Sequence, residues 1–309
     1  MGNGITILGI FVADATFRGS RAPDPGETVL ANTVQIGPGG KGSNQSVAAG
    51  RLGADVTFLT RLGQDAFSDM AMGVWKAAGV SSAAVHNAAT PTGAASIFVN
   101  EVTAENQIIV CPGAAAHISV ADIDAWADRI TSATVFLTQL EQPIAAAAHA
   151  LKLARGAGVT TILNPAPCVA GAADLLPYCD YVTPNETEAE ELTGQSVTTI
   201  ADARKAADIL LKMGAGAAVI TLGDKGALLH RDGQSDVFPA HKINKVVDTT
   251  GAGDAFNGAF ATALSRGMTA TDAVKLGCIV AGLSVTKPGA AASMPDSAAV
   301  DAAMDQIAK

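Results

Sequence analysis

The feature that most constrains this chain is a rhythm in its middle and C-terminal parts, where short apolar runs alternate with longer helix-forming runs closed by glycine. Residues 55–60, 134–140, 160–164, 181–183 and 217–222 read as strands. Residues 67–78, 144–155, 186–192, 201–212 and 254–266 read as helices, with Gly79, Gly156, Gly194 and Gly267 placed where a left-handed cap would end four of them. An apolar run at 5–10 predicts a further buried strand, and 227–230 another. Strands that alternate with helices of this length imply a three-layer α/β/α domain around a mostly parallel sheet. Ligands in such folds bind beyond the carboxyl ends of the strands.

Two islands interrupt the rhythm. Residues 27–36, inside a Gly-, Pro- and Asp-rich stretch from 14 to 42, are of strand-forming type, and 94–110 alternates apolar and polar residues. Together these segments, about 11–42 and 94–112, are expected to build a small β-sheet lid on a single domain spanning 1–309. At 309 residues the chain exceeds the roughly 250 of a large single α/β domain, which leaves room for such an appendage.

Composition narrows the function. A net charge of −9 argues against nucleic acid and anionic membranes as partners. It does not argue against a nucleotide, whose phosphates need only a local cradle of amides and a cation. Cys111, Cys168, Cys179 and Cys278 are scattered without metal-ligand spacing, and are expected to be reduced thiols of a cytoplasmic protein. Residues 1–8 lack a basic segment leading into a long apolar run, and no stretch reaches the roughly 20 apolar residues of a membrane span.

The strongest chemical signal is Asp248-Thr249-Thr250-Gly251-Ala252-Gly253-Asp254, after which a helix is expected to start at Asp254. Amides at a helix start favour an anion, and an acid among them is placed to act as a base on a hydroxyl. A capped glycine turn fits those residues equally well. Gly37-Pro38-Gly39-Gly40-Lys41-Gly42-Ser43-Asn44 fails the phosphate-loop spacing, because Ser43 stands where lysine is required. It reads as a hinge, as a glycine wall for a small polyol with Lys41 and Asn44 as hydrogen-bonding groups, or as both. In Pro184-Asn185-Glu186-Thr187-Glu188-Ala189-Glu190, Asn185 and Glu186 are the better functional candidates; Glu188 and Glu190 suit a helix N-terminus. Thr221-Leu222-Gly223-Asp224-Lys225-Gly226 suits phosphate or ribose contacts, or a plain turn. Lys287-Pro288-Gly289 with Ser293 reads by itself as a turn.

Taken in order, these motifs, with Leu140-Glu141, Asn164-Pro165-Ala166-Pro167 and Val285-Thr286-Lys287-Pro288-Gly289-Ala290, resemble the ribokinase-like carbohydrate kinases over essentially the whole chain. The resemblance implies the ribokinase-like fold and transfer of the ATP γ-phosphoryl group to a sugar hydroxyl, most simply of a pentose. It implies Asp254 as catalytic base and Gly251, Ala252 and Gly253 as an anion hole. It implies Asp14, Gly40, Lys41, Asn44 and Glu141 around the sugar, and Asn185, Thr221, Gly223, Gly226 and Gly253 around ATP. Glu186 and Glu190 would act on Mg²⁺ through water. Asp248, Thr250, Ser284, Lys287, Gly289 and Ser293 would hold K⁺, unless the Lys287 ammonium takes the cation's place. It also implies a homodimer formed through the lid.

One departure bears on substrate. The family pattern has Asn-x-Asp after the first strand, whereas this chain has Val12-Ala13-Asp14. Valine leaves a sugar hydroxyl without a partner, so ribose, 2-deoxyribose, another pentose and a ketohexose all stay open. A nucleoside kinase is disfavoured by only two Trp, two Tyr and nine Phe for base stacking, and a non-catalytic regulator by the presence of Asp254. A nicotinamide dehydrogenase needs GxGxxG after the first strand, which Gly9-Ile10-Phe11 does not begin.

Overall fold

Residues 4–87, 89–103 and 105–307 are described by this computed structural model, so the first three residues of the N-terminal stretch read above lie outside it. The strands are β1 (Gly4–Leu8), β2 (Val12–Gly19), β3 (Thr33–Gly39), β4 (Asp55–Leu62), β5 (Val80–His86), β6 (Thr92–Asn100), β7 (Asn106–Gly113), β8 (Val135–Thr138), β9 (Thr160–Leu163), β10 (Tyr181–Val182), β11 (Ala218–Thr221), β12 (Ala227–Arg231) and β13 (Gln234–Phe238). The helices are α1 (Lys41–Arg51), α2 (Ala66–Ala77), α3 (Val120–Ala125), α4 (Ala127–Thr131), α5 (Ile144–Gly156), α6 (Glu186–Thr193), α7 (Ile200–Lys212), α8 (Ala252–Ser265), α9 (Ala270–Ser284) and α10 (Ser297–Ile307).

Nine strands form one sheet in the order β13-β12-β11-β10-β9-β8-β1-β4-β5. The pairings from β11 to β5 are parallel, and β12 and β13 close one edge with antiparallel pairings. Successive side chains of a strand point to opposite faces. Ile5 and Ile7 of β1, Phe58 of β4 and Val219 of β11 therefore enter one apolar layer with Trp75 of α2 and Phe256 and Phe260 of α8. Leu8, Leu59 and Ile220 enter the other, with Leu151 of α5 and Leu210 of α7. Each fully buried Leu, Ile or Phe side chain stabilises this sandwich by about 1.5–3 kcal/mol. This is the three-layer α/β/α arrangement expected from the alternation of elements.

Four strands form a second sheet in the order β3-β2-β6-β7. Strand β2 pairs parallel with β6, and the other two pairings are antiparallel. Its boundaries correct the expectation in three places. Val12–Gly19, read as part of an irregular stretch, is a strand, because every residue from Val12 to Arg18, Asp14 included, pairs with β3 on one side and β6 on the other. The strand expected over 27–36 begins only at Thr33, since Glu27 closes a local turn by accepting from the Asp24 amide and the Arg21 guanidinium. The island at 94–110 falls on the antiparallel strands β6 and β7, and its Ala104 lies outside the described residues.

The glycine-rich stretch from 37 to 44 ends in a helix rather than a loop. Strand β3 stops at Gly39 and α1 starts at Lys41. Helix α1 then packs on α8 at a distance only a glycine allows: a Cβ on Gly258 would lie 2.6 Å from both Ala48 Cβ and the Gln45 carbonyl oxygen. That close approach carries Asn44 and Gln45 to the start of α8.

Candidate active site

Helix α8 begins at Ala252, two residues before the expected start, with Gly251 as its N-cap at φ 78°. This left-handed conformation is one that glycine adopts without penalty, and a Cβ there would sit 2.9 Å from Ala290 Cβ. The Ala252 amide donates to the Thr249 carbonyl (3.2 Å), which shapes the turn. Asp254 consequently lies in the first helical turn, where unpaired amides and the macrodipole favour negative charge.

Asp254 is 7% exposed. Asn44 Nδ2 donates to its Oδ2 and Gln45 Nε2 to its Oδ1, each at 3.0 Å. Burial pushes its carboxyl upward, and Lys41 with the two amide donors opposes that push without cancelling it. The other oxygen of Asn44, Oδ1, is buried with no hydrogen-bond partner among the described residues. A buried acceptor in that condition fits a ligand hydroxyl.

Asp254 lines the smaller of two neighbouring spaces. The smaller, about 160 Å³, is lined by Lys41, Asn164, Asn185, Glu188, Thr221 and Asp254 among others. The larger, about 530 Å³, is lined by Asn185, Glu186, Thr221, Gly223, Gly226 and Gly253. Val246, Phe256, Cys278 and Val285 add apolar surface to it. The five residues expected around ATP thus share one cleft with these apolar side chains. Asn185, Thr221 and Gly253 line both spaces, so the two communicate.

The residues expected around a sugar converge from three elements. The Lys41 amide, first in α1, donates to Glu141 Oε2 at 2.8 Å. Asp14 of β2 lies against Gly39, close enough that a Cβ there would overlap its carboxylate. Burial, then the charge of Asp254, raises the Asp14 carboxyl to about 6. Burial raises Glu141 to about 7 against the pull of Lys41. Burial alone would lower the Lys41 ammonium, but Asp254, Glu141 and Glu188 outweigh it and hold it above its usual value. Val12 is 3% exposed and packs in the apolar layer with Leu8, Ile10, Ala95 and Leu140, two residues before Asp14 on the same face of β2.

The loops expected to hold a monovalent cation also meet. Asp248 Oδ1 accepts from the Thr250 amide and Oδ2 from the Gly289 amide, each at 2.9 Å. Partial burial pushes the Asp248 carboxyl up, but hydrogen bonds from Thr250 and Gly289 hold it below its usual range. Ser284 and Ser293 are 1% exposed, and their hydroxyls donate to Ala281 and Ala290 carbonyls. Lys287 is exposed, and its amide donates to the Ser284 carbonyl.

On α6 the geometry reverses the choice among the acids. Glu190, expected at the metal, is exposed and accepts from Ser196 Oγ. Glu188 instead turns back to accept from the Asn185 amide (2.9 Å) and lines the Lys41 space. Burial raises its carboxyl, with Lys41 opposing. The helical period explains the reversal: Glu188 completes the capping box with Asn185, so it lies over the helix start, while Glu190 points to solvent. Sequence reading also passed over Gln45, Gln139 and Asn257. Had α1 been recognised, the i, i+3, i+4 spacing of Lys41, Asn44 and Gln45 would have placed all three on one face.

Residues 3–297 match the model of the pfkB family of carbohydrate kinases. The chain is 37% identical over 292 residues to a ribokinase of Haemophilus influenzae, covering 94% of this chain and 95% of that one. It is 36% identical over 293 residues to a deoxyribokinase of Salmonella typhi, with the same coverage. Among solved structures it superposes on an Arabidopsis thaliana ribokinase complexed with ribose and ATP at a TM-score of 0.88 and 30% identity, over 98% of this chain and 99% of that one.

Proposed function

Because this chain belongs to the pfkB family of carbohydrate kinases, we propose that it transfers the γ-phosphoryl group of ATP to a hydroxyl of a pentose, with Asp254 as the base. The observation that carries this reading is the position of Asp254. It is a buried carboxylate in the first turn of α8, held by Asn44 and Gln45, lining the space it shares with Lys41 and next in sequence to Gly253, which also borders the larger cleft.

In this reading the sugar lies under the second sheet, with hydroxyls on Asp14, Asn44 Oδ1 and Glu141. Asp254 takes the proton as the sugar oxygen bonds to the γ-phosphorus and the bond to the ADP oxygen breaks. The Gly251–Gly253 turn supplies amides to the transferring group, and Lys41 neutralises charge beside it. The second sheet acts as the lid, excluding water that would otherwise accept the phosphoryl group. Mg²⁺ would arrive with the nucleotide and be approached through water by Glu186, which lines the larger cleft, and Glu188, which lines the Lys41 space. Bound there, Mg²⁺ offsets phosphate charge. For K⁺ the fit rests on the Asp248 carboxylate and the Ser284 and Ser293 hydroxyls, whose protons are directed away to carbonyls while their lone pairs stay free. One face of the lid sheet exposes Phe17, Val34, Ile36 and Ile109, which supports a homodimer formed over that face.

The buried Val12 supports a second substrate within the same reaction, 2-deoxyribose, since an apolar wall two residues before Asp14 offers no partner to a hydroxyl. The test is ADP release by purified protein with Mg²⁺ and K⁺ against pentoses, deoxypentoses, ketohexoses and nucleosides. Turnover is expected on a pentose or deoxypentose, and Asp254→Asn should remove at least about 10²-fold of kcat while ATP still binds. Activity of that variant within tenfold of the parent rejects Asp254 as the base.

A further inference from the structure

A closed set of buried amides surrounds Asp254. Gln45 Nε2 donates to Asp254 Oδ1 and to Asn164 Oδ1, each at 3.0 Å. Asn164 Nδ2 donates to the Thr183 carbonyl (3.0 Å), the Thr183 hydroxyl to Asn257 Oδ1 (2.6 Å), and Asn257 Nδ2 to the Gly253 carbonyl (2.9 Å). The chain therefore returns to the residue beside Asp254. Behind it Gln139 Nε2 donates to Gln45 Oε1. Gln45 and Gln139 are fully buried, and Thr183 and Asn257 are 1% exposed.

The orientation of each amide is forced. An ionised carboxylate only accepts, so Gln45 must turn its NH₂ toward Asp254. Its second N–H then meets Asn164 Oδ1, which points the Asn164 NH₂ at the Thr183 carbonyl. Its oxygen, left on the far side, must accept, and Gln139 supplies the donor. Flipping any one member sets oxygen against oxygen or NH₂ against NH₂ in a water-poor interior, at the cost of an unpaired buried group. The members come from α1, from the ends of β8, β9 and β10, and from α8, so the arrangement ties Asp254 to four separate parts of the fold.

We infer that Gln45, oriented by Gln139, is a positioning residue that holds the Asp254 carboxylate in the alignment needed for proton transfer and, through Asn164, Thr183 and Asn257, keeps it in register with the Gly253 turn. The inference rests on Asp254 being the base. Lys41, Asp14, Glu141 and Glu188 are the charged groups that face the same space. None of them donates to Asp254 Oδ1, so none replaces Gln45.

The experiment compares Gln45→Met, which keeps length and volume but no donor, with Gln45→Glu, which keeps the shape and sets a carboxyl against Asp254. A misaligned base costs up to about 10²-fold in rate. Gln45→Met should lower kcat about 10- to 100-fold with KM for sugar and for ATP within about threefold of the parent. Gln45→Glu should be slower still at pH 8 and should regain ground relative to Gln45→Met near pH 5.5, where a protonated Glu can donate. A role in filling space alone predicts the opposite: both variants near parental kcat, with any loss appearing as a lower Tm. Parental kcat in folded Gln45→Met overturns the inference. If that variant does not fold, Gln139→Met is the test; it removes the donor that holds the Gln45 oxygen, so the amide sits more loosely against Asp254, and it should lower kcat about three- to tenfold at unchanged KM, and parental kcat there rejects it. Asp254→Asn separates the two readings. An inactive Asp254→Asn beside a fully active Gln45→Met sinks the positioning role alone, whereas an active Asp254→Asn sinks the base and with it the inference.

Discussion

The backbone amide of Lys41 donates to the carboxylate of Glu141 at 2.8 Å, across 100 positions of sequence. This one bond fastens the first residue of α1 to the loop after β8, and it brings an acid and a lysine together beside the proposed sugar position. Because Glu141 is buried and its carboxyl is raised to about 7, its charge state changes within the ordinary working range of an enzyme.

The pH dependence follows. Sugar hydroxyls donate to carboxylates, so binding needs Glu141 and Asp14 ionised. With these groups raised to about 7 and about 6, kcat/KM for the sugar should fall as pH is lowered from 8 through 7 to 5.5. Stability should run the other way. Both groups hold protons more tightly folded than unfolded, so unfolding free energy should decrease as pH rises from about 4.5 to about 7. Glu141→Gln should therefore raise KM for the sugar about tenfold, and at pH 8 it should raise Tm rather than lower it. Kinetics and thermal melts on the same two proteins check both halves.

The acids of α6 are expected to separate cleanly. Glu188 lines the Lys41 space and Glu190 faces solvent. Glu188→Gln should lower kcat at least about tenfold and raise the Mg²⁺ concentration needed for half-maximal rate. Glu190→Gln should stay within about twofold of the parent. A Mg²⁺ titration of all three proteins at fixed ATP decides the matter, and equal effects of the two substitutions would remove Glu188 from the site.

The Asp248 loop predicts a monovalent cation effect. Activity should be higher in K⁺ than in Na⁺ or a bulky organic cation at matched ionic strength. Asp248→Ala should abolish the difference, because it removes the carboxylate that joins the 248–250 and 289 loops. Identical rates in all three salts would show that the site works without a bound cation.

Val12 gives a prediction about substrate choice. Val12→Asn should raise kcat/KM for ribose relative to 2-deoxyribose by roughly two- to twelvefold, the range expected of one hydrogen bond of about 0.5–1.5 kcal/mol. Since Val12 packs in the apolar layer, the same change should lower Tm. Asp14→Ala should damage turnover of every sugar. An unchanged ribose to 2-deoxyribose ratio in folded, active Val12→Asn would mean that the sugar does not approach this wall.

Much of the body was legible because its strands are apolar runs and its helices end at glycine: the elements at 55–62, 144–156 and 200–212 follow from period and caps alone. The lid was only half legible. Strand β2 carries Asp14 and Arg18 and sits beside a Pro- and Gly-rich loop, so no local signal distinguishes it from that loop; its pairing with β6, about 80 residues away, makes it a strand. Helix α1 was hidden for a related reason. Its first turn contains Gly42, Ser43 and Asn44, which are weak helix formers, and it is held by packing on α8 through Gly258. Once α1 was missed, Gln45 could not be placed. The different surroundings of Glu188 and Glu190 are not legible because a string of four acids looks uniform in sequence, while a helix assigns each a different direction.

A single residue, Gly40, separates β3, an edge strand of the second sheet, from α1. The lid and the helix bearing Asn44 and Gln45 are thereby geared together with almost no slack. If the second sheet closes as proposed, a swing of β3 would be transmitted within one helical turn to the amides that grip Asp254. An open lid would then be an uncoupled clutch: nucleotide could sit in its cleft while the acid beside it was out of alignment, and ATP would be spared from idle hydrolysis until a sugar drew the strand down.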